Sequence, residues 1–138
     1  MWKMHCLFVF AIAAALPAAA QTAIPDLRGN WKGESESIVL GAGNPHHPAT
    51  PADEPQLRSV SFTLTIDKQD GRRFSGTFSS ARSSEKVIGV ISRGGAIIVA
   101  DDEGYTHGTM LAPNRMEWCY LHVSAAARIA SCSELTKQ

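Results

Sequence analysis

The chain has 138 residues, with 13 Lys+Arg against 13 Asp+Glu, five histidines and three cysteines. A balanced charge supplies no basic field for nucleic acid or anionic lipid, and this length holds one small domain. Three cysteines are too few for a disulfide-built scaffold.

Lys3, the apolar run from Cys6 to Leu16 and the Ala18-Ala19-Ala20 ending have the layout of a secretory signal peptide over residues 1–20. The run is too short for a retained bilayer-spanning helix, and Cys6 sits too early for a lipoprotein cleavage point. Removing residues 1–20 leaves 118 residues with 12 Lys+Arg, 13 Asp+Glu, four histidines and two cysteines. The expectation is a secreted or periplasmic protein with no membrane association after cleavage, in which Cys119 and Cys132 form a disulfide. Residues 21–28, QTAIPDLR, form an N-terminal segment ahead of a domain over 29–138.

The rest of the chain breaks into short runs bounded by turn signals, with no helical periodicity. Strands are predicted over 29–39, 58–68, 72–80, 85–92, 96–101, 104–111, 115–123 and 127–135. Eight strands joined mostly by tight links predict an all-β, antiparallel up-and-down meander barrel, because closure removes exposed sheet edges.

Between the first two strands lies the long link 40–57, rich in Pro, Gly and Ala and containing His46 and His47. Its length points to a lid over one end of the barrel. The second strand is the clearest: Val60, Phe62, Leu64 and Ile66 alternate with Ser59, Ser61, Thr63 and Thr65. A three-residue loop at 69–71 would pair Lys68 with Arg72 and Phe62 with Phe78. In the fourth and fifth strands a Gly94-Gly95 turn would pair Ile91 with Ile98 and Val90 with Val99. That leaves both faces of the hairpin apolar, so residues 85–101 are a candidate homodimer surface.

A loop at 112–114 would set Met110 opposite Met116, Gly108 opposite Trp118 and Thr106 opposite Tyr120. In the last hairpin, pairing Cys119 with Cys132 sets Tyr120 opposite Ser131 and His122 opposite Ile129. Met116, Trp118, Tyr120 and His122 then face inward, and the two cysteines face outward.

The stretch LRGNWKGE (27–34), with its Gly-x-Trp, and FSGTF (74–78) resemble the calycin superfamily of lipocalins and avidins. The resemblance implies an eight-stranded barrel with a ligand mouth and with Trp31 plugging the closed end. It does not extend to biotin: the expected asparagine is Gly33, the expected tyrosine is Phe78, and only Ser37 matches.

The candidate ligand-binding residues are Phe62, Phe78, Thr106, Trp118, Tyr120 and His122, with His46 and His47 as lid residues. Aromatic walls with a few polar points suit a small apolar or aromatic ligand. No nucleophile elbow, paired-carboxylate spacing or phosphate loop is present, so neither a catalytic set nor a cofactor is expected. No metal site is expected either, because adjacent histidines on a proline-rich loop seldom converge on one ion. Two functional classes stay open: a small-molecule binding barrel, or a protease-inhibitor or other protein-interaction barrel whose segment 21–28 enters a partner's cleft. A roomy interior would favour the first, and a filled barrel with a protruding N-terminus the second.

Overall fold

The computed structural model describes residues 23–138, so the predicted signal peptide lies outside the described residues. Eight strands follow one another: β1 (Gly29–Gly41), β2 (Gln56–Asp70), β3 (Arg73–Ser79), β4 (Ser84–Ile91), β5 (Ile97–Ala100), β6 (Tyr105–Ala112), β7 (Arg115–Val123) and β8 (Ala127–Lys137). Each pairs antiparallel with its sequence neighbours, and β1 pairs with β8, closing the barrel. The period-two alternation sends Trp31, Leu64, Ile66, Phe74, Val87, Ile91, Ile97, Val99, Met116, Trp118 and Leu135 into one buried core.

Three predicted turns need correction. The β2–β3 link is a two-residue turn, Gly71-Arg72, with Asp70 opposite Arg73 and an irregularity at Asp67 that leaves Ile66 opposite Gly76 and Leu64 opposite Phe78. Gly71 takes φ 57°, the left-handed backbone that opens such a turn. The offset from the expected pairing is two residues, so every side chain keeps its face. In β4–β5, Ile91 pairs with Ile97 and Val90 with Ile98. That one-residue difference matters more, because a single step exchanges the two faces. Its cause is Ser92, whose backbone N–H donates to Ala96 O and whose hydroxyl accepts from Ala96 N–H, fixing a longer loop than a two-glycine turn. Ile97 and Val99 therefore point inward, while Ile88, Val90 and Ile98 are exposed on the outer wall. The β6–β7 turn is Pro113-Asn114, with an irregularity at Leu111; beyond it the expected pairs Met110–Met116, Gly108–Trp118 and Thr106–Tyr120 all occur.

The floor of the barrel is closed by residues before β1. Leu27 is fully buried, its N–H donates to Gln69 Oε1 at 2.8 Å, and Gln69 Nε2 donates to Pro25 O at 2.8 Å. Trp31 Nε1–H donates to Leu27 O at 2.7 Å and Lys137 Nζ donates to Asp26 O at 3.1 Å. Part of the segment 21–28 thus belongs to the core.

Cys119 and Cys132 sit directly opposite each other on the outer wall and are bridged. A bridged pair fits a non-reducing, exported environment. With a sequence separation of 13, the bond is worth about 3 kcal/mol on loop-closure entropy. Reduction should lower the unfolding free energy by that amount and move the urea midpoint down with it; an unmoved midpoint would show that the hairpin needs no staple.

Candidate functional site

With the floor plugged, the other end is the mouth. There the links β1–β2, β3–β4, β5–β6 and β7–β8 gather on one rim, and the first of them folds inward. The lid begins at Ala42, whose N–H donates to Ala126 O at 2.9 Å, and returns at Thr50, whose N–H donates to Gly41 O at 2.7 Å. Its centre is an Asn44 turn: Asn44 Oδ1 accepts from the backbone N–H of His46 at 3.0 Å and of His47 at 2.7 Å. The fold-back drives both imidazoles into the barrel, where His46 and His47 are almost completely buried.

The orientation of the Asn44 amide fixes the His47 tautomer. His47 Nδ1–H donates to Asn44 Oδ1 at 3.1 Å, so Nε2 accepts from the Ser37 hydroxyl at 3.1 Å. Burial, with smaller contributions from the neighbouring His46 and Arg82, holds the His47 pKa down at about 4, so the ring is neutral at pH 7. His46 points the other way: Nε2–H donates to Glu85 Oε1 at 3.0 Å, and Nδ1 accepts from the Ser80 hydroxyl at 2.8 Å. Its ring meets Phe62 and Phe78 edge-on at centroid distances of 5.4 and 5.7 Å. Those two phenylalanines stack on each other at 4.5 Å, and Phe78 stacks on Trp118 at 6.1 Å.

Opposite this aromatic wall runs a line of hydroxyls. Ser37 pairs with Ser131, Ser131 with Tyr120 and Tyr120 with Thr106, across β1, β8, β7 and β6. Ser37 Oγ lies 2.7 Å from Ser131 Oγ and 2.9 Å from Ser35 Oγ. Burial is the main cause that pushes the Tyr120 pKa up to about 12, with the carboxylates of Asp101, Glu85 and Glu103 adding to it. Tyr120 therefore stays a neutral hydroxyl, accepting from Asn44 Nδ2–H at 3.4 Å.

Among the predicted ligand residues, Phe62, Phe78, Trp118 and Tyr120 surround the cavity under the lid together with His46 and His47. Thr106 is buried behind Tyr120, and His122 sits at the rim with its Nδ1–H donating to Glu103 O at 2.9 Å. The cavity itself is about 10 Å³, the space of one water. Gly108 opens no room opposite Trp118, because Ile97 Cβ approaches within 3.2 Å of where a side chain would begin. Gly33, standing where the biotin-binding pattern has asparagine, has no space for a side chain: a Cβ there would lie 2.1 Å from Glu134 O.

The architecture is calycin-like. A closed eight-strand meander in chain order, entered through Gly29-x-Trp31 and with that tryptophan on its floor, carries the assignment. Neither the protein-family models nor the curated proteins contain a match to the chain. Among solved structures, the S-type phycobiliprotein lyase CPES from Guillardia theta overlaps with a TM-score of 0.39 at 12% identity, over 81% of this chain and 88% of that one.

Glu85, Asn44, Ser35 and Ser133 belong to this mouth although no sequence pattern singled them out, and Ser37 joins them, which only the match to the biotin-binding pattern had marked. The parity of β4 held one signal: Glu85 alternates with Val87 and Ile91, which face inward, and it pairs with Phe78.

Proposed function

We propose that this is an exported, non-catalytic barrel that binds a small apolar or aromatic molecule at its lid end, with the loop 42–55 lifting to admit it. The observation that carries this reading is what fills the mouth. At Ser35, Ser37, Ser131 and Ser133 the wall supplies small side chains, and the space they leave is taken by two imidazoles from a loop. A barrel that serves only as a scaffold fills its interior from its own strands. Here the filling is removable.

The energetics allow it. Besides the Arg82 Nε bond to Pro45 O and the Thr50 bonds at the hinge, four side-chain hydrogen bonds fasten the centre of the lid: His46 to Ser80 and Glu85, His47 to Ser37, and Asn44 to Tyr120. At about 0.5–1.5 kcal/mol each, they hold it with roughly 2–6 kcal/mol. A ligand of micromolar affinity supplies about 8 kcal/mol.

The Ser37–His47–Asn44 chain has the order of a nucleophile, base and orienting group. It works as a latch. The water-sized cavity left with the lid down is lined by Ser131 and Ser133 and not by Ser37, and lifting the lid carries His47 and Asn44 away from Ser37, so base and nucleophile part when the site opens. The protease-inhibitor reading has less behind it, since Pro25, Asp26 and Leu27 are tied to the floor by Gln69, Lys137 and Trp31.

Titrating the mature protein with a panel of small aromatic molecules should change Trp118 emission, and Trp118→Phe should abolish that change. Loosening the lid with His46→Ala together with His47→Ala should tighten binding, because less of the ligand's binding energy goes into displacing it. If neither the wild type nor the loosened-lid variant responds to any member, the binding reading falls and the filled barrel stands.

A further inference from the structure

Among the described residues, Glu85 is the carboxylate turned into the barrel wall beside the aromatic stack. It lies opposite Phe78 in the β3–β4 ladder, on the face that Val87 and Ile91 bury, and its side chain is only 13% exposed. Among the described residues no lysine or arginine comes within ion-pair distance of it; its partner is His46 Nε2. A carboxylate in such surroundings is costly unless it is hydrogen-bonded. When the lid lifts, His46 leaves with it. Glu85 then faces the vacated space with Phe62 and Phe78 on one side and the Ser80 hydroxyl on the other.

We propose that Glu85 selects the ligand: the site takes a flat heteroaromatic molecule carrying N–H donors or a positive charge, which replaces the His46 imidazole between Glu85, Ser80 and the Phe62–Phe78 pair. This rests on the binding reading above and narrows it. The lid supplies the template. His46 is itself a planar nitrogen heterocycle, placing one N–H on the carboxylate, one ring nitrogen on a hydroxyl and its edges on two phenyl rings. A purely hydrocarbon ligand fills the same volume but leaves Glu85 desolvated and unpaired. Leaving a buried acceptor without its donor is the stronger penalty of the two, so selectivity arises from rejection of the ligand that lacks the N–H. On the rim Asp101 and Glu103 act on Tyr120 in the same sense as Glu85, and the rim cation Arg82 is held on Pro45 O of the lid at 3.4 Å.

The probes are 2-aminobenzimidazole and naphthalene, similar in flatness and size but differing in N–H donors and charge, titrated against the full mature protein at pH 7 by calorimetry. Wild-type protein should bind 2-aminobenzimidazole at least tenfold more tightly than naphthalene. Glu85→Gln should lose that preference while keeping naphthalene affinity. Glu85→Asp, which retains the charge, should keep most of it, a result that a merely structural role for residue 85 would not give. Equal binding of the two probes, or a preference that survives in Glu85→Gln, overturns the selection by Glu85 and leaves the binding site intact. Absence of binding by either probe, in the wild type and in the loosened-lid variant alike, overturns both.

Discussion

Trp31→Ala should be the most damaging single substitution in this barrel, lowering the unfolding free energy by about 3–5 kcal/mol. Trp31 is fully buried, stands opposite Leu64 on β2 and Lys137 on β8, and lies under the Lys137 ammonium at 5.4 Å from its ring. Its indole N–H also satisfies Leu27 O, so truncation leaves a cavity and an unpaired carbonyl together, and it frees the segment 25–27 that seals the floor. Domains of this size are stable by about 5–15 kcal/mol, so the variant should unfold at low urea. Trp31→Phe should cost less, because it keeps most of the volume and loses the hydrogen bond. An unfolding free energy of Trp31→Ala within about 1 kcal/mol of wild type, against the roughly 1–3 kcal/mol for one buried unsatisfied group alone, would mean that something else closes the floor.

The same residue shows what the sequence made legible. A Gly-x-Trp at the head of the first strand, alternation in β2 and the Cys119–Cys132 pairing were local signals, and each depends on period two and on turn lengths. They were enough to place the inward faces of β2, β6, β7 and β8 and the bridge between the last two. The errors fell where a single residue decides register. The Ser92 hydroxyl lengthened the β4–β5 loop, and extra residues at Asp67 and Leu111 shifted the turns of two hairpins. None of these leaves a hydrophobic signature, since a turn is chosen by one side chain's hydrogen bond.

The mouth was harder to read for a different reason. His46 and His47 sit in a stretch whose composition is that of a solvent-exposed loop, and their burial depends on Asn44 folding that stretch back against strands far away in the sequence. Glu85 opens a strand, where an acid ordinarily marks the wet rim, and it turns inward because an imidazole from the lid meets it there. The line Ser37–Ser131–Tyr120–Thr106 was half visible: Tyr120–Ser131 followed from the cysteine register and Thr106–Tyr120 from the turn at 112–114, whereas Ser37 joined only through the β1–β8 closure. Local pattern reaches neighbours along the chain, and a lid is a contact between distant parts of it.

Acidification from pH 7 to pH 4 should release the lid while leaving the barrel folded. His47 titrates at about 4 when buried under the lid and near 6.5 once exposed. Above pH 6.5 both forms are neutral and the closed lid keeps its full stability. Between 6.5 and 4 the open form binds a proton that the closed form does not, so closure weakens steadily as pH falls and levels off below the lower value. The full shift corresponds to about 3 kcal/mol, or roughly 2 once screening at the mouth is allowed for, against the 2–6 kcal/mol of hydrogen bonding that fastens the lid. Of the groups around His47, His46 on the lid and Arg82 on the β3–β4 link oppose a proton there, and Tyr120 stays neutral throughout. Protection factors of the His46 and His47 amides, both bonded to Asn44 Oδ1, report the lid directly. They should fall about tenfold or more across this window, since 1.4 kcal/mol is a factor of ten, while amides of the β7–β8 ladder hold theirs. His47→Gln, which cannot be protonated, should flatten the response. Equal pH dependence in His47→Gln would move the switch to another group, and constant protection down to pH 4 would remove it altogether.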